Sequence, residues 1–250
     1  MPVWFLLALL AQPQSLHAAE IALIIDDMGN SDTDGVAFNL PEQVAFAILP
    51  HTPHSKKFAL TAAGEQRDVL VHMPMEALSG LNMGPGGISS EMSESLIRQR
   101  LTEAFESVPQ AIGFNNHMGS KLTQLTAPMQ TTMEFLNFRH LFFLDSRTTR
   151  YSKAEHIAKD FGVPTVRRHV FLDHVQETQH IDYQFRRLLR KAKRDGFAVG
   201  IAHPHKVTLE YLQAALQALD EEGIRLISLR DKLPQTPKQW AWNQNSQYSR

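Results

Sequence analysis

The sequence has no cysteine among its 250 residues. That excludes disulfides, thiolate zinc sites, iron–sulfur clusters and cysteine nucleophiles. It also lacks an excess of positive charge. Its 25 Lys+Arg face 26 Asp+Glu, for a formal net charge of -1, so no basic field is available to hold DNA or RNA. The basic run Arg186–Arg194 reads as the solvated face of an amphipathic helix. There is no GxSxG elbow, no P-loop and no GxGxxG after a strand, which leaves α/β-hydrolase and nucleotide chemistry without a motif. After residue 19 no stretch is long and apolar enough to span a bilayer. Hydrophobic residues make up 43% and charged residues 20%, a composition that folds.

The N-terminus reads as an export signal. Val3–Ala11 is an apolar run of h-region length, and Ala18 and Ala19 supply small residues for cleavage, although no Lys or Arg precedes the run. The expected organisation is residues 1–19 as signal, 20–231 as one folded domain, and 232–250 as a polar, disordered tail. The expected location is periplasmic or otherwise exported.

Within the domain, short apolar runs recur, each closed by a polar or turn signature. They are Ile21–Ile25, Val44–Leu49, Asp68–Met73, Ala111–Phe114, Leu141–Leu144, Phe197–Ala202 and Ile224–Leu229. Helical periodicity fills the gaps at Glu91–Val108, Thr126–Phe138, Ser152–Phe161, Ile181–Arg194 and Thr208–Glu221. Strands alternating with helices specify an α/β fold with a mostly parallel sheet, and this chain length fits an open or incomplete barrel. The segment Leu78–Ser90 is Gly-rich and reads as a surface loop near the site.

In such folds function gathers at the carboxyl ends of the strands. The polar signatures there are Asp26-Asp27, His51 with His54, His72 with Glu76, Asn115-Asn116-His117, Asp145-Ser146-Arg147 and His203-Pro204-His205. Six of the 12 histidines fall at these ends. Adjacent carboxylates at a buried strand end repel unless a proton or cation separates them, so Asp26-Asp27 reads as a base beside a metal ligand. The bland alternative is a turn and helix cap, since Asn30, Ser31 and Asp32 also carry cap chemistry. His72 and Glu76 suit a zinc site only if the chain turns between them, and Pro74 argues against a helix there. His203 and His205 alternate on an extended chain and share a face.

At IIDDMGNS, FAILPHTPHS, VLVHMPME, GFNNHMGSKLT, FFLDSRTT and GIAHPH the chain resembles the divergent polysaccharide deacetylase family, over roughly Glu20 to Arg230. The resemblance implies a deformed (β/α) barrel of about seven strands with a divalent metal at its carboxyl rim. It makes Asp26 the catalytic base, Asp27 and His72 metal ligands, and His203 the general acid. Glu76 stands where the family has its second histidine, so His117 becomes the third ligand. Asp145 matches the start of the fourth motif and is expected to orient His203.

The resulting expectation is an exported hydrolase, dependent on Zn²⁺ or a similar ion, that removes an N-acyl group from an envelope carbohydrate. The alternative, favoured by the altered second and third motifs, is a glycan- or partner-binding module that keeps the barrel without strong catalysis. Export has a direct check: N-terminal sequencing of the mature chain should begin at Ala19 or Glu20. Intact Met1 in a cytoplasmic fraction would refute it.

Overall fold

The structure, a computed structural model, describes residues 18–233. Most of the expected signal and nearly all of the expected tail lie outside those residues. The strands are β1 (Ala19–Met28), β2 (Ala45–Ile48), β3 (Val69–Met75), β4 (Gly113–Met118), β5 (Phe142–Asp145), β6 (Thr165–Arg167), β7 (Val170–Phe171), β8 (Phe197–Ala202) and β9 (Ile224–Leu226). The helices are α1 (Ser55–Gly64), α2 (Glu94–Ser107), α3 (Thr126–Phe138), α4 (Ala154–Asp160), α5 (Thr178–Asp195), α6 (Lys206–Ala215) and α7 (Leu229–Lys232), with a 3₁₀ turn at Asp32–Asn39.

Every named strand pairing is parallel, in the order β6-β5-β4-β3-β2-β1-β8-β7. The two ends of that order are one stretch of chain. β6 pairs with β5 and β7 pairs with β8, with only Arg168-His169 between them. The sheet therefore curls until a split seventh stave joins both edges. That stave carries two arginines and a histidine in a row, which hides it from hydrophobic patterning. Neither it nor α1 is among the expected elements.

Strand residues alternate between two faces. Outward residues such as Ile21, Leu23, Ile25, Val71 and Phe143 pack under the helices with Phe58, Leu101, Leu136 and Leu188. Inward residues Ala22, Ile24, Ala45, Ala47, Leu70, Phe142, Leu144, Val199 and Ile201 form a separate cluster, completed by Leu229 and Leu233 from the α7 end. Each fully buried aliphatic contributes roughly 1.5–3 kcal/mol of transfer free energy. Gly113 is needed inside this small lumen, because a Cβ there would sit 2.4 Å from the Phe142 ring.

The last expected strand, Ile224–Leu229, is shorter than its apolar run. β9 pairs with β1 only at Ala19–Ile21, because β2 occupies the same edge from Ile24 onward. Ile227 makes one more bond to Ile21, and after Ser228 the chain enters α7. Lys232 bonds to Glu20 and Leu233 is buried, so the fold runs two residues past the expected boundary at 231.

His169 ties the split stave to β8. Its backbone N–H donates to Val199 O, and its Nδ1 accepts from the Val199 N–H at 2.9 Å. Burial, then the nearby Lys191 and Arg167 charges, lower its pKa to about 4. The unfolded value is about 6.5, so the fold binds the neutral ring. The contribution is fully present above about pH 6.5 and is lost as pH falls toward 4. The urea midpoint of the wild type should therefore fall more between pH 7 and 5 than that of His169→Asn, which keeps an acceptor without the titration. Parallel curves would exclude this role.

Candidate metal centre

The inward face of each stave runs from apolar residues to a polar one at the carboxyl rim. Ala22 and Ile24 lead to Asp26, Leu70 to His72, Gly113 to Asn115 and His117, Phe142 and Leu144 to Ser146, Phe171 to Asp173, and Val199 and Ile201 to His203. Asp27 has the wrong parity for this face. It reaches the rim because β1 breaks register between Ile25 and Met28 and Asp27 adopts a left-handed φ of 59°. Such a bulge re-aims one side chain, at a cost on the order of 1 kcal/mol for a non-glycine residue. The cap chemistry nearby belongs to Ser31 and Asp34, which form a capping box on the 3₁₀ turn and leave the Asp26-Asp27 pair free of that duty.

Asp27 Oδ1 lies 3.0 Å from His72 Nε2 and 2.8 Å from His117 Nδ1, and those two nitrogens are 3.2 Å apart. Neither contact to Oδ1 has hydrogen-bond geometry, so this buried carboxylate oxygen has no hydrogen-bond partner. His72 Nδ1 is 2.8 Å from Asn115 Oδ1. A proton on Nδ1 satisfies that amide oxygen and leaves the Nε2 lone pair facing Asp27. One carboxylate oxygen and two imidazole nitrogens, all within 3.2 Å of one another, form a cluster able to hold a cation. Asn115 is then the group that fixes the His72 tautomer, as such partners do at metal sites.

Asp26 is 2% exposed. Burial raises its pKa, against the opposing pull of His72 and His203. Asn115 Nδ2 donates to its Oδ1 at 2.9 Å, so one amide orients both Asp26 and His72. His203 faces the same centre from β8, its Nε2 3.8 Å from Asp27 Oδ2.

The structure differs from the sequence reading at Asp145. The acid that holds His203 is Asp173, whose Oδ1 is 2.9 Å from Nδ1 and whose Oδ2 accepts from the His203 backbone N–H and the Thr208 hydroxyl. Asp145 has the parity of Phe143 and faces away from the lumen. Its carboxylate accepts from Ser152 Oγ and the Arg147 backbone N–H, so it shapes the loop after β5. Asp173 follows a two-residue strand and carried no strand-end signal. The one available cue was parity, since it stands two residues after Phe171.

Glu76 is also outside the centre. Pro74 continues β3, paired with His117 across the ladder, so the chain between His72 and Glu76 stays extended. Four extended residues span about 13 Å. Glu76 instead binds Lys121 Nζ at 2.6 Å and the Ser90 N–H at 2.7 Å, and these hold its carboxyl down to about 2. Of the remaining rim histidines, His205 approaches Gln176, His54 stacks on Phe58, and His51 lies against Gly86.

A curled parallel (β/α) barrel with acids and imidazoles gathered on its carboxyl rim is the deacetylase type of fold. The chain belongs to the divergent polysaccharide deacetylase family, whose model matches residues 23–233. It is 38% identical over 216 residues to an uncharacterized protein of Haemophilus influenzae, covering 86% of this chain and 77% of that one. It is 37% identical over 207 residues to the uncharacterized protein YibQ of Escherichia coli, covering 82% of this chain and 65% of YibQ. The crystal structure of an uncharacterized protein from Agrobacterium tumefaciens C58 matches with a TM-score of 0.82 at 21% identity, covering 86% and 89% of the two chains. No helix among the described residues is long and apolar enough to cross a membrane.

Burial alone would lower the His203 pKa, but the hydrogen bond and charge of Asp173, then the charges of Asp26 and Asp27, raise it to about 9. In metal-free protein the His203 imidazole should stay protonated through pH 8 in a heteronuclear NMR titration. Asp173→Asn removes the main raising groups and should move the transition to lower pH. A wild-type ring titrating near about 6.5 would contradict the pairing.

Proposed function

We propose that the protein is an exported, metal-dependent hydrolase that removes an N-acyl group from a carbohydrate of the cell envelope. The observation that carries this reading is the orphaned Oδ1 of Asp27 between His72 Nε2 and His117 Nδ1. Zn²⁺ suits a site of one carboxylate and two imidazoles. Export rests on the apolar run Val3–Ala11 and the small residues Ala18 and Ala19 that follow it.

Asp27, His72 and His117 hold the ion, which when bound polarises the acyl carbonyl and acidifies the attacking water. Asp26 accepts the proton that water releases; burial has made its carboxylate a stronger base than one in solvent. His203 gives its Nε2 proton to the departing amine nitrogen as the C–N bond breaks. The products are a carboxylate and a free amino group. Asp173 keeps Nδ1 engaged so that Nε2 faces the reaction, and Asn115 holds Asp26 and His72 in one frame.

Metal analysis with turnover of N-acetylated glycan oligomers tests the assignment. Asp27→Asn should lose metal. Asp26→Asn should keep metal and lose roughly 10²–10⁴-fold in kcat, the range of a general base. His117→Ala should weaken metal binding by about tenfold or more, and Glu76→Ala should change it little. Equal metal loss in Asp26→Asn and Asp27→Asn would refute the division of roles. A wild type that holds metal yet turns over no N-acylated glycan would favour the binding-module alternative.

A further inference from the structure

His205 has no part in the reaction assigned above, yet it lies beside the pair that does. We propose that Asp173, His203 and His205 form a second divalent-cation site, and that filling it withdraws His203 from proton donation, so that excess metal inhibits the enzyme. The inhibition rests on the hydrolase reading above; the site itself does not.

One ligand atom from each of the three residues lies within 4.8 Å of the other two. The chain arranges this locally. His203 and His205 straddle Pro204, whose ring fixes its own φ, and His205 is extended at φ -69° and ψ 137°. On an extended chain such alternate residues share a face, and the two ring centroids are 5.7 Å apart. Phe171 also stacks on the His203 ring, at 6.0 Å, and limits its travel.

Asp173 is the fixed member, 2% exposed. Its Oδ2 accepts from the His203 backbone N–H at 2.7 Å and from the Thr208 hydroxyl at 3.0 Å, which pins the carboxylate. Its Oδ1 faces His203 Nδ1 at 2.9 Å and keeps a second lone pair. His205 is the adjustable member. It is half-buried, makes no capping bond to α6, and holds Nε2 3.1 Å from the Gln176 amide nitrogen. Donor atoms around a tetrahedral zinc lie about 3.4 Å apart, so a turn of the His205 ring toward Asp173 completes the set. One carboxylate and two imidazoles suit Zn²⁺ or a similar transition ion, whereas Mg²⁺ and Ca²⁺ favour oxygen donors.

The ion competes with a proton. The hydrogen between His203 Nδ1 and Asp173 Oδ1 must leave to solvent when a cation takes both atoms. The ring then carries only its Nε2 hydrogen, as a neutral, metal-bound imidazole. That is a weaker acid than the imidazolium it replaces, and so a poorer proton donor. His203 Nε2 still faces Asp27, 3.8 Å from its Oδ2. One imidazole thus has a nitrogen at each centre, and the second ion acts on the reaction without displacing the first.

The test is equilibrium dialysis of the full-length protein against rising free Zn²⁺. Metal content, turnover of N-acetylated glycan oligomers and the His203 ring nitrogen resonances are read on the same samples. The wild type should bind two equivalents, the second more weakly. As the second binds, turnover should fall and the His203 Nδ1 resonance should move. His205→Ala should bind the first equivalent unchanged, bind the second at least about tenfold more weakly, and resist inhibition to the same degree. A single equivalent in the wild type, a second equivalent indifferent to His205→Ala, or equal inhibition of both proteins would overturn the proposal. A wild type that binds the His205-dependent second equivalent but shows no turnover at any zinc level would sink the hydrolase reading, and the inhibition with it, and leave the second site standing.

Discussion

Two neighbouring residues of one strand cannot both face the lumen unless the backbone breaks its alternation. β1 makes that break at Asp26-Asp27, by a register shift and a left-handed Asp27. The rest of the site depends on it. Asp26 keeps the inward parity of Ala22 and Ile24 and stays deep, while Asp27 is turned to the rim, where His72 and His117 reach it. A regular strand would have sent Asp27 under the helices, where an unpaired carboxylate is costly. It would also have left the imidazoles with only the more distant Asp26, whose Oδ2 is 3.7 Å from His72 Nε2.

Barrel closure supplies the second half of the site. The split stave delivers Asp173 next to β8, where it holds both the ring and the backbone of His203. Closure and the placement of His203 are therefore coupled through a few residues. Val199 is bonded on both sides by His169, and two residues after β7 ends at Phe171 the chain places Asp173.

Much of this was legible in the sequence because buried parallel strands read as apolar runs and their carboxyl ends as polar breaks. Asp26, Asp27, His72, His117 and His203 all carry that signal, and the structure brings them to one rim. Asp145 carries it equally well and faces the other way. What separates them is parity: Asp26, His72 and His203 continue an inward row, whereas Asp145 continues the outward row of Phe143. Asp173 and the stave before it were not legible, because TVRRHVF spends its length on cations. Arg168 there is not an apolar signal but caps the Ser146 and Arg147 carbonyls and lies over Phe171. Glu76 was set aside in favour of His117 on a legible cue. Its spacing from His72 is a helical spacing, and Pro74 keeps the chain extended.

The charges of the centre suit a bound cation. Asp26 and Asp27 are consecutive carboxylates, the first almost wholly buried. His203 balances Asp173, its direct partner, and stands farther from the pair. His72 spends Nδ1 on Asn115, so toward the acids it presents a lone pair when neutral. A divalent ion would meet Asp27 Oδ1 and both imidazole nitrogens at once. It also leaves Asp26, not itself one of the three converging ligands, as the carboxylate still free to take a proton.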